Sequence, residues 1–128
     1  MGLNDFDFEV KVRSPIYPTE DKETLISCLS NIFPKTNWEI EGEEIVGETK
    51  YLTRFKSILE DMQIRDTARN YMKNRVLGEK CSFTLSKQAT CNAKINFSEQ
   101  EQPLGGVEVK IICKDIMMLI ENLTEIEE

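Results

Sequence analysis

The chain has 128 residues, 30% of them charged, with 16 Lys and Arg against 23 Asp and Glu for a net charge of -7, and it has no histidine. A chain of this length buries about two thirds of its unfolded surface as one domain, residues 1–128, and needs neither metal nor disulfide to hold a core. Without histidine, Ser-His-Asp and Cys-His catalysis and most zinc and non-haem iron centres are excluded, and no apolar run reaches the length of a membrane helix.

The opening "MGLNDFDFEV" lacks the basic and apolar regions of a signal peptide and has Phe6 where a myristoylation site wants Ser or Thr, so a cytoplasmic location is expected. Phe6, Phe8, Val10 and Val12 alternate with Asp7, Glu9 and Lys11, the pattern of a half-buried strand. "SPIYPTED" breaks it, and Thr19 followed by Glu20 and Asp21 is the expected cap of a helix carrying Leu25, Ile26, Leu29, Ile32 and Phe33 up to Pro34. Trp38 and Ile40, then Ile45, Gly47, Thr49 and Tyr51, predict two short strands joined through "EGEE". Thr53 is the expected cap of a second helix with Leu52, Phe55, Ile58, Leu59 and Met62 on its apolar side. The helical pattern resumes with Ile64, Ala68, Tyr71 and Met72 until Gly78, as one long helix or two short ones meeting near Gln63.

Residues 83–97, "FTLSKQATCNAKINF", place Thr84, Ser86, Gln88, Thr90, Asn92, Lys94 and Asn96 on one strand face, with Phe83, Leu85, Ala89, Cys91, Ala93, Ile95, Phe97 and the odd Lys87 on the other. As one strand this segment would span about 50 Å, too long for a domain of this size, so a hairpin or a strongly bent strand is expected. The bend falls at Lys87, Gln88, Thr90 and Asn92, with the bulky ends meeting across it and Lys87 near the tip, where Lys87→Met would leave stability nearly unchanged. After the polar loop "SEQEQPLGG", Val107, Val109, Ile111 and Cys113 alternate as a strand, and Ile116, Leu119, Ile120 and Leu123 form a last helix running into acidic residues. This order predicts an α+β fold, a mostly antiparallel sheet with helices packed on one face.

The four cysteines, Cys28, Cys81, Cys91 and Cys113, form no C-x-x-C pair and read as buried reduced thiols. No phosphate-binding loop or metal-ligand spacing occurs, so neither catalysis nor a cofactor is expected. Charge is uneven along the chain: residues 1–49 carry 4 Lys/Arg against 11 Asp/Glu, residues 50–94 carry 10 against 4, and residues 95–128 carry 2 against 8. Either the middle segment forms a basic face on an acidic protein, or charges from separate segments meet and cancel. Arg65, Arg69 and Lys73 share one helix face at a spacing that can follow a phosphate backbone. Lys87, Gln88, Asn92 and Lys94 form a second candidate nucleic-acid contact.

The motifs "VRSPIYPTED", "NIFP", "RF" followed by "QIRDTARNYM", "FTLSKQAT", "INFSE" and "PLGGVEVKI" cover residues 10–112. In this order they resemble an uncharacterised, mainly archaeal protein family described as RNA-binding, whose fold resembles the large-subunit ribosomal protein that holds 5S rRNA. The resemblance implies an antiparallel sheet with helices on one side and RNA as partner. Because some relatives also carry a P-loop nucleotide-kinase-like domain, it also implies a separate nucleotide-kinase-like protein as a further partner. The expected function is an RNA-binding or ribonucleoprotein accessory module without catalytic activity. The alternative is a protein-interaction or homodimerisation module, in which the thin centre at Ala89, Cys91 and Ala93 admits a neighbouring element.

Overall fold

In the computed structural model, which describes residues 2–98 and 105–125, the first alternating segment forms strand β1 (Phe8–Pro15), with Phe8, Val10, Val12 and Ser14 buried. Helix α1 (Lys22–Ile32) starts two residues later than Thr19 would place it: Asp21 is the N-cap, and its carboxylate accepts the Thr24 N–H at 3.0 Å. Strands β2 (Asn37–Glu41) and β3 (Glu44–Thr49) are joined through Gly42, whose φ of 61° suits the tight turn. The long helical pattern resolves into α2 (Thr53–Asp61) and α3 (Arg65–Lys73), with Leu52, not Thr53, at the N-cap of α2.

The break between these helices is a Schellman turn. Gln63 is left-handed at φ 57°, and the Ile64 and Gln63 N–H groups donate back to the carbonyls of Leu59 and Glu60. Gly78 does not end a helix, since α3 stops at Lys73; it turns the hairpin between β4 (Val76–Leu77) and β5 (Lys80–Leu85). Helix α4 (Lys87–Cys91), β6 (Val107–Cys113) and α5 (Ile116–Leu123) complete the described elements. The acidic end of the last helical segment and most of the loop before β6 lie outside the described residues.

All six strands pair antiparallel in the order β2-β3-β1-β6-β5-β4. The last strand is thus inserted between the first and the fifth. Each central strand buries alternate residues on one face, and these merge with Leu25, Leu29, Phe55, Leu59, Met72, Leu119 and Leu123 of the helices into one core. Through that core runs a chain of rings: Phe33 to Phe55 at 6.1 Å, Phe55 to Phe83 at 5.9 Å, Phe83 to Phe97 at 5.6 Å and Phe97 to Tyr71 at 4.6 Å. Five aromatics from both sides of the sequence therefore bridge α1, α2, β5 and α3.

Residues 83–97 do not form the expected hairpin with a polar tip. The bulky ends meet, since Leu85 bridges Phe97 and Ser98 N–H donates to the Thr84 carbonyl, but α4 stands between them. Ser86 caps α4 by accepting the Ala89 N–H at 3.3 Å, and a second Schellman turn ends it, with Ala93 left-handed at φ 55°. Helical geometry, not strand parity, is what turns Lys87 inward.

Gly47 shows how closely β2 and β3 are fitted. It lies opposite Trp38, and an added Cβ would stand 2.5 Å from the indole and 2.7 Å from the Thr36 methyl. The indole is itself held in place, with Nε1 donating to Ser30 Oγ of α1 at 3.1 Å. Gly47→Ala is expected to cost about 1–3 kcal/mol by overpacking. Urea denaturation followed by the fluorescence of the chain's one tryptophan measures this directly, and an unchanged midpoint would show that the indole moves aside freely.

Candidate nucleic-acid interface

Arg65, Arg69 and Lys73 lie on α3, as their spacing requires, yet two of the three are engaged within the molecule. Arg69 donates to the Thr124 carbonyl at 2.9 Å and to its hydroxyl at 3.0 Å, and Lys73 donates to Glu121. Both cations therefore serve the C-terminal end of α5, where free carbonyls and the helix dipole favour positive charge. The Lys73 hydrogen bond holds the Glu121 carboxyl below its usual range. Arg65, at the start of α3, is half-buried.

The second candidate set also divides. Lys87 is 6% exposed; its ammonium donates to the Pro15 carbonyl at 2.8 Å and to Glu20 at 3.0 and 3.2 Å, above the Tyr17 ring. Such a group is an interior ion pair, not a hairpin tip. Gln88, Asn92 and Lys94 stay exposed on α4 and its terminal turn, with the Asn92 amide donating to the Gln88 carbonyl.

The cysteines correct the expectation of four reduced thiols. Cys28 of α1 and Cys91 of α4 are joined in a disulfide with Cα atoms 4.2 Å apart, a pairing across 63 residues that depends on α4 packing against α1. Cys81 and Cys113 are free and buried. Burial pushes the Cys81 thiol up to about 12 and raises that of Cys113, leaving almost no reactive thiolate at neutral pH. Iodoacetamide should accordingly modify Cys91 and then Cys28 only after reduction, and Cys81 and Cys113 only after unfolding. Peptide mass spectrometry reads the order, and early modification of Cys81 would contradict its burial.

Among the described residues the helices leave the opposite face of the sheet uncovered, and there the polar residues of the strands line a groove of about 920 Å³. Lys11 of β1 lies directly opposite Lys110 of β6, and Ser82 of β5 is the next residue across. Like charges face to face cost stability in the free protein. Lys11 is offset only by Glu48 at 3.9 Å, and Lys110 makes no ion pair among the described residues. Arg13, one step along β1, has its Nε 2.9 Å from Glu44 without hydrogen-bond alignment, and Arg75 lines the groove while stacking over Tyr71 at 4.7 Å. Toward β2 the face turns acidic with Glu39, Glu41 and Glu48.

Sequence reasoning missed this surface because Lys11 and Lys110 are the ordinary wet positions of two strands a hundred residues apart. Their alternation was visible, whereas their juxtaposition needed the β1–β6 pairing.

A family model described as RNA binding matches residues 9–114, a stretch that holds five of the six strands whole and all of β1 except Phe8. A UPF0201 protein of Methanothermobacter thermautotrophicus is 34% identical over 118 residues, covering 90% of this chain and 89% of that protein. The UPF0200/UPF0201 protein of Archaeoglobus fulgidus is 32% identical over 109 residues, covering 84% of this chain but 34% of that longer protein. Among solved structures, the crystal structure of the UPF0201 protein from Methanococcus jannaschii is similar at a TM-score of 0.83 and 30% identity, covering 94% of this chain and 95% of that one. Similarity of this extent in both sequence and fold shows that the chain belongs to the archaeal UPF0201 family, and the family model that matches it is described as RNA binding.

Proposed function

We propose that this protein is a non-catalytic RNA-binding module, an accessory component of ribonucleoprotein, which meets RNA phosphates on the open face of its sheet. The observation that carries the reading is the opposed pair Lys11 and Lys110, two cations held together on an uncovered surface where an anion relieves their repulsion. The family description agrees with it. On the helical side, Arg65, Gln88, Asn92 and Lys94 are available as further contacts. Arg69 and Lys73 reach RNA only by giving up α5, and Lys87 only by leaving Glu20.

Fluorescence-polarisation titration of the protein against structured and single-stranded RNA, at two salt concentrations, tests the function itself. Binding that weakens as salt rises is expected. No association with either RNA at low salt would sink the reading. The longer Archaeoglobus fulgidus relative favours a second, compatible role beside a companion protein equivalent to the remainder of that chain, for which co-purification from the native source is the test.

A further inference from the structure

We infer that the open face of the sheet selects base-paired RNA, gripping its backbone along the β1–β6–β5 side. This rests on the RNA-binding reading and adds the class of RNA and the site to it.

The first reason is what the face lacks. Sheets that bind single strands present aromatic rings on which bases stack, worth about 1–3 kcal/mol per base. Here Phe8 and Phe83 lie on the buried side of their strands, and Trp38 is tied to α1 through Ser30. Among the described residues, Phe83 is the one aromatic lining the groove and is only 3% exposed; the rest of the lining is charged or polar side chains with Val and Gly. An unpaired base gains little on such a surface.

The second reason is what the face presents. Lys11 and Lys110 stand on neighbouring strands, about 4.8 Å apart in the pairing direction, and can approach successive phosphates of one backbone. Ser82 is paired opposite Lys110, and Thr84 follows it on the same face. Their hydroxyls both donate and accept, which suits the 2′-hydroxyls displayed in the wide, shallow minor groove of an RNA duplex.

The third reason is the charge gradient. Glu39, Glu41 and Glu48 make the β2–β3 side repulsive to phosphate, and Glu108 of β6 stands opposite Arg13 and Thr84, so the duplex backbone is confined to the stretch around Lys11, Lys110 and Ser82. Acidic total charge and local affinity for RNA are compatible on these terms.

The test compares an RNA hairpin stem, a single strand of equal length and a DNA duplex of the stem's sequence, using wild-type protein, Lys11→Gln/Lys110→Gln and Glu39→Gln/Glu41→Gln. The stem should bind more tightly than either competitor. Removing two phosphate contacts should flatten the salt dependence by about 0.9 each, so a fourfold rise in salt weakens the wild type roughly tenfold more than the lysine variant. The glutamate variant should bind the stem more tightly than wild type. Because the lysines repel one another, their replacement should leave the melting temperature unchanged or higher, which separates lost contacts from lost folding.

If the stem binds but the lysine variant keeps full affinity and slope, the site is wrong while RNA binding stands. Equal or tighter binding of the single strand would refute duplex selection. Failure of every RNA to bind removes the proposed function as well.

Discussion

Lys87→Met is expected to lower the unfolding free energy by about 3 kcal/mol, the lower end of the range of about 3–5 kcal/mol for breaking one partner of a buried ion pair. The lysine side chain is 7% exposed and that of Glu20 14%, so removing the ammonium strands a carboxylate with little access to water. The lower end applies because Glu20 Oε1 still accepts the Tyr17 N–H at 3.0 Å. The Pro15 carbonyl also loses its shorter hydrogen bond, keeping the Ser14 hydroxyl at 3.4 Å, and the cross-link between α4 and the segment after β1 goes with it. Adding Glu20→Gln to Lys87→Met should recover part of the loss, since it removes the unpaired charge. Urea denaturation of both single variants and the double variant gives the coupling energy. A Lys87→Met protein as stable as wild type would restore the expectation that this lysine sits on an exposed turn.

Phe55→Ala is expected to cost about 3–5 kcal/mol. Phe55 is fully buried and is the second ring in the series from Phe33 to Tyr71, stacked on Phe33 and tilted against Phe83. Its removal opens a cavity bounded by α1 on one side and β5 on the other, and neither can close it without pulling the sheet out of register. Because the same residue anchors α2, the loss should appear in chemical denaturation and as faster amide exchange throughout α2. A cost below about 1 kcal/mol would mean that the surrounding rings collapse into the space.

The even balance of charge alternatives in the sequence was decided by folding in two opposite ways. Cations of the basic middle segment are drawn to acidic residues of the flanks: Arg69 and Lys73 to Glu121, and Lys87 to Glu20. The uncovered cationic pair comes instead from the acidic flanks themselves, as Lys11 and Lys110. Segment totals therefore do not show which cations stay unpaired, because ion pairing depends on spatial neighbours and not on neighbours along the chain.

Local periodicity was enough to determine β1, β6, the β2–β3 pair, α1 and the amphipathic helices, because alternation and 3.6-residue spacing record which side of an element meets the core. The α+β class followed from their order. The exact ends of elements did not: the left-handed turns at Gln63 and Ala93 use no glycine, so the usual mark of a helix C-terminus was absent. Residues 83–97 were misread for a related reason, as their alternation suits a strand while Ser86 caps a one-turn helix whose Lys87 finds Glu20 across 67 residues. Only the tertiary structure decided that β6 lies between β1 and β5, that Cys28 meets Cys91, and that Lys11 faces Lys110. These are long-range pairings, selected by the fit of whole faces against one core, and no local pattern in the sequence specifies them.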